Sequence, residues 1–117
     1  MEQLRNLTKT LKALSDEGRL RIISLLSKKK DLCVCEIKEL IGLSQSTISS
    51  HLKKLENSGL ITYSKDGKWI NYNINPNLDS DIKKLVKNIN TMLKNDHRLE
   101  KDYTRLSTIK REDICKK

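Results

Sequence analysis

Residues 35–59 read CEIKELIGLSQSTISSHLKKLENSG, and their apolar positions repeat at the period of two short helices. Gly42 provides a stop for the first helix, and Ser44 is a good N-cap for the second, which ends near residues 57–59. The apolar residues that mark the two buried faces are Ile37, Leu40 and Ile41, followed by Ile48, Leu52 and Leu55. We interpret this pair as a helix-turn-helix.

Directly after this pair the apolar period changes from helical to two. Residues 61–64 and residues 69–74 alternate in this way, and Asp66 and Gly67 between them are a strong hairpin-turn signal. A two-stranded hairpin that follows a helix-turn-helix is the wing of a winged helix. The predicted fold is therefore mainly α with a small β-hairpin wing, in the order of four helices, two strands and a fifth helix, and dimeric.

Amphipathic helices are also predicted at both ends of this unit. The first carries a seam at Leu4, Leu7, Leu11 and Leu14, which could pack within its own domain or across a dimer axis. Residues 82–93 form the last helix, which either breaks at residues 95–96 or continues. We divide the chain into a winged-helix domain, residues 1–95, and a C-terminal helical extension with a polar tail, residues 96–117.

Length and charge narrow the class of protein. The 117 residues carry 24 Lys plus Arg against 15 Asp plus Glu, and the net charge of +9 favours a polyanionic partner. No run approaches the roughly 20 apolar residues of a membrane span, and no secretory signal is present, so we expect a soluble cytoplasmic protein without a membrane partner. We expect no enzyme and no organic cofactor, because no nucleophile with a base and no phosphate-binding glycine loop is found.

The second helix of the pair suits the major groove of DNA. Residues 44–55 contain no acid in a chain that is 33% charged, and they are hydroxylic at the start and basic at the end. Lys65 and Lys68 flank the hairpin turn, where they either contact DNA or lie in a solvated turn. The residues predicted to reach base edges are Gln45, Ser46, Thr47 and Ser49, with Ser50, Lys53 and Lys54 nearer the backbone. His51 is predicted to pack through a hydrogen bond.

Cys33 and Cys35 form a Cys-x-Cys pair just before the helix-turn-helix. Two thiols at this spacing point the same way from an extended backbone but lie about 200° apart around a helix. One ion can therefore bind both only where the backbone is extended or the helix start is unwound. Thiolates select soft ions such as As(III), Sb(III), Cd(II), Pb(II) or Cu(I). From the spacing alone, buried structural thiols remain the alternative.

Four segments together resemble the ArsR/SmtB family of metal-responsive winged-helix repressors, and within it the arsenic-responsive branch. They are LSDE (14–17) with RL (19–20), LCVCE (32–36), SQS (44–46) with IS (48–49) and HL (51–52), and GKWI (67–70) with Tyr72. The resemblance implies a homodimer built on the first and last helices, a palindromic double-stranded operator upstream of a resistance operon, and release from DNA by As(III) or Sb(III). The predicted dimer contacts are Leu4, Leu7, Leu11, Leu85, Ile89 and Met92.

Within this resemblance, Cys33 and Cys35 match the two thiols of the family's metal box. The third thiol that some arsenic sensors place two residues later is replaced by Ile37. The third ligand could be Cys115 or a small thiol, or the ion could have no third ligand. The zinc branch uses histidines, and here His97 with Glu100 is expected to be a solvated pair. The cadmium and lead branch recruits cysteines from an N-terminal arm, whereas no cysteine precedes position 33.

Other functions remain open from the sequence. The same winged helix could use its thiols as redox sensors, with a disulfide between subunits or to Cys115, or respond to Cd(II) or Pb(II). A winged helix that serves protein contacts, with its charge only maintaining solubility, is the further alternative.

Overall fold

The structure, a computed structural model, describes residues 2–114, which form seven helices and one two-stranded antiparallel sheet. In chain order the elements are α1 Glu2–Leu14, α2 Glu17–Lys28, α3 Val34–Ile41, α4 Gln45–Asn57, β1 Ile61–Asp66, β2 Trp69–Ile74, α5 Ser80–Leu93, α6 His97–Leu106 and α7 Arg111–Ile114. The predicted order of four helices, a hairpin and a fifth helix is confirmed. Of the two alternatives for the last helix, the structure shows the break: α5 ends at Leu93 and α6 begins at His97.

The ends of three helices are set by capping residues. The Asp16 side chain accepts a hydrogen bond from Arg19 N–H at 3.1 Å and starts α2. Ser44 accepts from Thr47 N–H at 3.2 Å and starts α4. Gly42 ends α3 in the left-handed region, with φ of 82°, which glycine adopts without strain. The turn between α3 and α4 is therefore short and fixed at both ends.

The core lies between α2, α3, α4 and the start of β1. Its largest fully buried side chains include Ile22, Ile23, Leu25, Leu32, Ile37, Leu40, Ile48, Leu52, Leu55, Leu60 and Ile61. The helix α2 is central, as its apolar residues on more than one face predict. Burial of one face of α4 in this core leaves its opposite face to solvent.

The hairpin is closed by a two-residue turn. The pairing runs from Ile61 with Ile74 to Asp66 with Trp69, so the turn consists of Gly67 and Lys68, one residue later than predicted. A third short segment joins the sheet, because Tyr72 N–H donates to the Leu32 carbonyl at 2.8 Å. The residue just before the cysteine pair is thus attached to the wing.

The C-terminal helices pack against the helix-turn-helix side of the domain. Asp102 of α6 is buried and accepts two hydrogen bonds from Arg21 of α2, at 2.9 and 2.8 Å. The Tyr103 hydroxyl hydrogen-bonds Ser24 of the same helix. α7 contacts α3. The extension is therefore attached to the two helices that support α4.

Two helices carry apolar side chains that the single chain leaves exposed. Leu4 is 75% and Met92 73% exposed, and Leu7 and Leu11 are also exposed. Leu85 and Ile89 of α5 are half-buried against the core. Within residues 2–114, no helix is long and apolar enough to cross a membrane.

Candidate functional site

Cys33 and Cys35 lie at the start of α3 with their sulfur atoms 3.3 Å apart. Cys33 is the N-cap and has an extended backbone, with φ of −92° and ψ of 170°. Cys35 is the second residue of the helix. Because only one of the two residues is helical, their side chains can point the same way. The two sulfur atoms are therefore close enough for one ion to reach both.

The first thiol is enclosed by its surroundings. Cys33 is 4% exposed, and its backbone N–H donates to Glu36 Oε1 at 3.0 Å. Burial raises the pKa of the Cys33 thiol, the Glu36 carboxylate acts in the same direction, and the Glu36 backbone N–H opposes them. The thiol is therefore neutral near neutral pH, and a ligand that binds the sulfur has to displace its proton.

Cys33 and Cys35 line a cleft of about 660 Å³ between α3, the start of α4 and the wing. Gln45 of α4 and Lys68 of the hairpin turn line this cleft, together with Trp69 and Ile70 of β2. Ile114 of α7 lines it as well. The cleft thus joins the thiols to two of the residues predicted to contact DNA.

Arg111 of α7 connects the C-terminal segment to this cleft. Its Nε and Nη2 donate to Glu36 Oε1 at 3.1 and 2.8 Å. Nη2 also donates to the Asp31 carbonyl at 2.6 Å and to Asn71 Oδ1 at 2.8 Å. The guanidinium lies 4.8 Å from the centre of the Trp69 ring. One side chain therefore contacts α3, the residues before the thiols and β2.

Sequence reasoning did not identify Glu36, Asn71 or Arg111 as site residues. Glu36 stands three residues after the N-cap, which is the spacing of a capping box, so the pattern Cys-x-x-Glu was a usable signal. Asn71 is buried while its neighbour Ile70 is exposed, the reverse of what polarity suggests for β2. Arg111 donates a hydrogen bond to the amide oxygen of Asn71, and no local sequence pattern predicts that contact.

The predicted DNA-contacting residues are all exposed. All of the predicted α4 residues are exposed, and Ile48, Leu52 and Leu55 on the opposite face are buried. Lys65 and Lys68 are exposed at the end of the hairpin. The exposed residues of this predicted set are Gln45, Ser46, Thr47, Ser49, Ser50, Lys53, Lys54, Lys65 and Lys68.

His51 has a packing role, as predicted. Arg19 Nη1 lies 3.1 Å from His51 Nδ1, and His51 Nε2 lies 3.5 Å from Asp16 Oδ1. Arg19 is itself buried and donates from Nε to the Ala13 carbonyl at 2.6 Å. His51 therefore attaches α4 to the junction between α1 and α2.

This histidine predicts a pH dependence of stability. Burial lowers the pKa of His51, Asp16 opposes this, and Arg19 and Lys54 add to it. Because the folded pKa lies below the unfolded value of about 6.5, the unfolded chain binds more protons, and stability falls as pH falls from about 6.5 through the folded pKa. Urea unfolding should show a lower midpoint at about pH 5 than at about pH 7. His51→Gln should reduce that difference; an equal difference in both proteins would contradict the assignment.

A complete metal centre is not formed by the described residues alone. Between Glu2 and Ile114, no group of three or more His, Cys, Asp and Glu side chains is arranged to hold a metal ion. His97 and Glu100 are exposed on α6, in agreement with the prediction of a solvated pair. The predicted third thiol, Cys115, lies outside the described residues.

The helix-turn-helix, the hairpin wing and the exposed, acid-free face of α4 define a winged helix-turn-helix protein of the DNA-binding class. The sequence profile of the family described as "Bacterial regulatory protein, arsR family" matches residues 16–63. The chain belongs to the arsR family. The predictions of a winged-helix fold and of membership in this family are thereby confirmed.

Curated relatives include arsenic and cadmium regulators. The chain is 41% identical over 75 residues to the arsenical resistance operon repressor of Escherichia coli (strain K12), covering 64% of each chain. It is 40% identical over 81 residues to the cadmium resistance transcriptional regulatory protein CadC homolog of Staphylococcus aureus, covering 69% of this chain and 64% of that one. It is 39% identical over 74 residues to the arsenical resistance operon repressor of Bacillus subtilis (strain 168), covering 63% and 70%. The match thus spans somewhat less than two thirds of the first two relatives, and their names leave the ion open.

Solved structures show the same fold. Reduced HlyU from Vibrio cholerae N16961 superimposes with a TM-score of 0.68 at 26% identity, covering 78% of this chain and 92% of that one. The homodimeric winged helix-turn-helix DNA-binding domain of Mb0332 from Mycobacterium bovis gives a TM-score of 0.67 at 24% identity, covering 82% and 85%.

Proposed function

We propose that this protein is a homodimeric transcriptional repressor that binds operator DNA and dissociates when As(III) or Sb(III) binds Cys33 and Cys35. The observation that carries the proposal is the cleft: the two sulfur atoms, 3.3 Å apart, open onto a space that Gln45 and Lys68 also line. A ligand on the thiols would therefore lie beside the start of the DNA-reading helix and the tip of the wing.

The spacing of the sulfur atoms suits a three-coordinate ion. Two sulfurs 3.3 Å apart can each lie about 2.3 Å from one ion with an angle of about 90° between them. This angle is closer to a trigonal pyramid, which trivalent arsenic and antimony form with three thiolates, than to a tetrahedron. The chain contains three cysteines. The donor set therefore matches one trivalent ion per chain.

Charge also favours a trivalent ion over a divalent one. When As(OH)₃ binds, each thiol gives its proton to a departing hydroxide, so three waters leave and the complex with three thiolates is neutral. A divalent ion with three thiolates would carry a net negative charge next to Glu36, whose buried carboxylate is already paired with Arg111. An additional buried charge without a partner is costly. This favours As(III) and Sb(III) over Cd(II).

Cys115 is proposed as the third ligand. Ile114 lines the same cleft as Cys33 and Cys35, and Cys115 follows it directly in the sequence. Consecutive Cα atoms are about 3.8 Å apart, so the chain connects Cys115 directly to a residue that lines the cleft. Cys115→Ser tests the assignment through the number of sulfur neighbours of bound arsenic.

The backbone before the thiols supplies a route from ligand to DNA surface. Asp31 N–H donates to Asn73 Oδ1 at 2.9 Å, and Asn73 Nδ2 donates back to Asp31 Oδ1 at 2.8 Å. Together with the bond from Tyr72 to Leu32, these contacts attach the cysteine segment to β2. A ligand that changes the backbone at Cys33 would therefore act on the wing and on α3 together. It shifts the protein toward whichever arrangement it binds more tightly.

Operator recognition is assigned to the exposed face of α4 and the wing. Gln45, Ser46, Thr47 and Ser49 would meet base edges in the major groove. The hydroxyl of Ser50 and the lysines would meet phosphates, which position the protein without reading sequence. The lysines assigned to phosphate contacts are Lys53, Lys54, Lys65 and Lys68.

The dimer is assigned to the apolar side chains that α1 and α5 expose. Leu4, Leu7 and Leu11 share one face of α1, and Met92 is exposed on α5. Exposed apolar clusters of this kind mark contact surfaces in soluble proteins. Leu85 and Ile89 are half-buried in the single chain, and we assign their remaining exposed parts to the same interface. A two-fold dimer of this kind implies a palindromic operator.

Lysine contacts to phosphate predict a salt-dependent affinity. Replacing Lys53 and Lys54 with glutamine should weaken operator binding and lower the slope of log affinity against log salt by about 0.9 for each lost contact. Lys101→Gln on the exposed surface of α6 is the matched control and should keep the wild-type slope. Fluorescence anisotropy over a salt series measures this slope. An affinity that does not depend on salt in the wild type would support a protein-contact module instead.

The proposed function is tested by releasing a DNA complex with different ligands. The probe is a labelled duplex from the region upstream of the protein's own gene, and a phosphine reductant is used because a dithiol would bind arsenite itself. Arsenite and antimonite should dissociate the complex at lower concentrations than Cd(II), and a thiol oxidant without arsenite should not. Release by the oxidant alone would favour a redox sensor. Release by Cd(II) at lower concentrations than by arsenite would favour a cadmium regulator.

A further inference from the structure

We propose that Arg19 and His51 are positioning residues for operator recognition. Their contact fixes the rotation of α4 about its own axis against the last turn of α1, and discrimination between DNA sequences depends on that rotation. The inference rests on the proposed function, because it concerns the helix to which operator recognition is assigned. Neither residue is among those assigned to DNA contacts, and both act through the α4 residues that are.

Arg19 is held at the end of α1 before it reaches α4. It is 8% exposed, its Nε donates to the Ala13 carbonyl at 2.6 Å, and its Nη2 donates to the Lys12 carbonyl at 3.4 Å. Because α1 ends at Leu14, these carbonyls belong to its last turn, where the backbone acceptors have no partner within the helix. A cation at this end also suits the helix dipole. The guanidinium therefore has a fixed place from which its Nη1 meets α4.

The contact between Arg19 and His51 has a defined direction. Arg19 Nη1 lies 3.1 Å from His51 Nδ1. A guanidinium has donors only, so Nδ1 is the acceptor and the proton of the neutral ring is on Nε2. Nε2 in turn lies 3.5 Å from Asp16 Oδ1, and the histidine side chain is 12% exposed. Each ring nitrogen thus faces a group of the opposite character, and one orientation of the ring satisfies both.

The buried face of α4 does not set the rotation of the helix as sharply. That face packs through aliphatic side chains, and hydrophobic burial has no preferred direction, whereas a hydrogen bond is restricted in distance and angle. Thr47 and Lys54 stand four residues before and three residues after His51, on the same side of α4. Both are among the residues predicted to contact DNA. A rotation of α4 released from Arg19 would therefore move these side chains.

Losing this rotation should affect specific binding more than general affinity for DNA. Hydrogen bonds to base edges need side chains in defined places. Attraction between lysines and phosphates is independent of sequence, and long side chains can adjust to a small rotation of the helix. A protein that is merely less stable would instead lose both kinds of binding together. The ratio of the two affinities therefore separates a positioning role from a purely structural one.

Gly18 offers a way to disturb the ring without deleting a polar group. A Cβ atom at this position would lie 2.9 Å from His51 Nε2 and 3.1 Å from Asp16 Oδ1, so the absence of a side chain leaves room for the ring. Alanine is a better helix former than glycine, so α2 should still form in Gly18→Ala. The substitution is expected to displace the ring from its contact with Arg19.

The test compares two labelled duplexes by fluorescence anisotropy with the phosphine-reduced full chain. One is the region upstream of the protein's own gene, and the other is a scrambled duplex of the same length and composition. His51→Leu removes the acceptor and leaves Arg19 bound to α1, and Gly18→Ala is the second variant. His51→Asn is the conservative variant, because its amide oxygen can accept from Arg19 in place of Nδ1. His97→Leu, the same substitution on the exposed surface of α6, is the matched control.

The outcomes separate this inference from the function on which it rests. In His51→Leu and Gly18→Ala, the ratio of operator to scrambled affinity should fall about 10-fold, as for the loss of one hydrogen bond to a charged group. Their affinity for the scrambled duplex should stay within about twofold of wild type. His51→Asn and His97→Leu should keep the wild-type ratio. An unchanged ratio in either of the first two variants, an equal loss of both affinities, or an equal fall in His51→Asn would overturn the positioning role alone. A wild-type protein that does not prefer the operator would overturn the proposed function as well.

Discussion

Cys33→Ser is expected to keep operator binding and to lose the response to arsenite. Serine is a preferred N-cap, so α3 should still start at residue 33 and operator affinity should stay within about twofold. A serine hydroxyl is a poor ligand for a soft ion. Removing a direct ligand should cost more than removing an orienting group, so half-release should require at least about 100-fold more arsenite.

The measurement is fluorescence anisotropy of the labelled DNA complex, titrated with arsenite under phosphine reduction. Cys35→Ser should behave in the same way, since its sulfur lies 3.3 Å from that of Cys33. Ser27→Ala, at the end of α2, serves as a control because its hydroxyl bonds only the Ile23 carbonyl of its own helix among the contacts described. A Cys33→Ser protein that fails to bind DNA would make the cysteine structural and remove the main support for sensing.

Leu7→Glu is expected to abolish the dimer and with it most of the operator affinity. Leu7 is exposed on the apolar face of α1, and a carboxylate there would be buried without a partner in a two-fold interface. Glutamate is a good helix former, so α1 itself should persist. Loss of simultaneous binding to two half-sites should reduce affinity by about 100-fold or more.

Sedimentation equilibrium gives the oligomeric state, and anisotropy gives the affinity. Asn6→Glu introduces the same charge on an exposed residue away from the leucine seam and should leave both properties unchanged. A Leu7→Glu protein that remains dimeric with wild-type affinity would place the interface elsewhere on the molecule.

The helix-turn-helix and the wing could be predicted because their signals are local. Gly42 and Ser44 set the turn through φ preference and side-chain capping, which depend on neighbouring residues only. The hairpin turn was predicted one residue early, because Gly67 occupies the first turn position and Asp66 still pairs in the strand.

The chemistry of the candidate site was predictable in part. Spacing alone states that one ion can reach both thiols only if the backbone is extended, and the N-cap conformation of Cys33 meets that condition. The contacts of Arg111 were not predictable, because Glu36 lies 75 residues away in the chain and no period or motif links the two. The sequence also does not show that Leu85 and Ile89 pack against the core of their own chain. One amphipathic face of α5 contains both these core contacts and the proposed dimer contacts, and its helical period is the same for either role.

X-ray absorption at the arsenic edge, on the reduced full chain loaded with one equivalent of arsenite, tests the central claim most directly. Three sulfur neighbours in the wild-type protein are predicted, falling to two in Cys115→Ser and in Cys33→Ser. An arsenic atom with oxygen neighbours only, or a sulfur count that does not change in Cys33→Ser, would contradict the assignment of the thiol pair as the arsenic site.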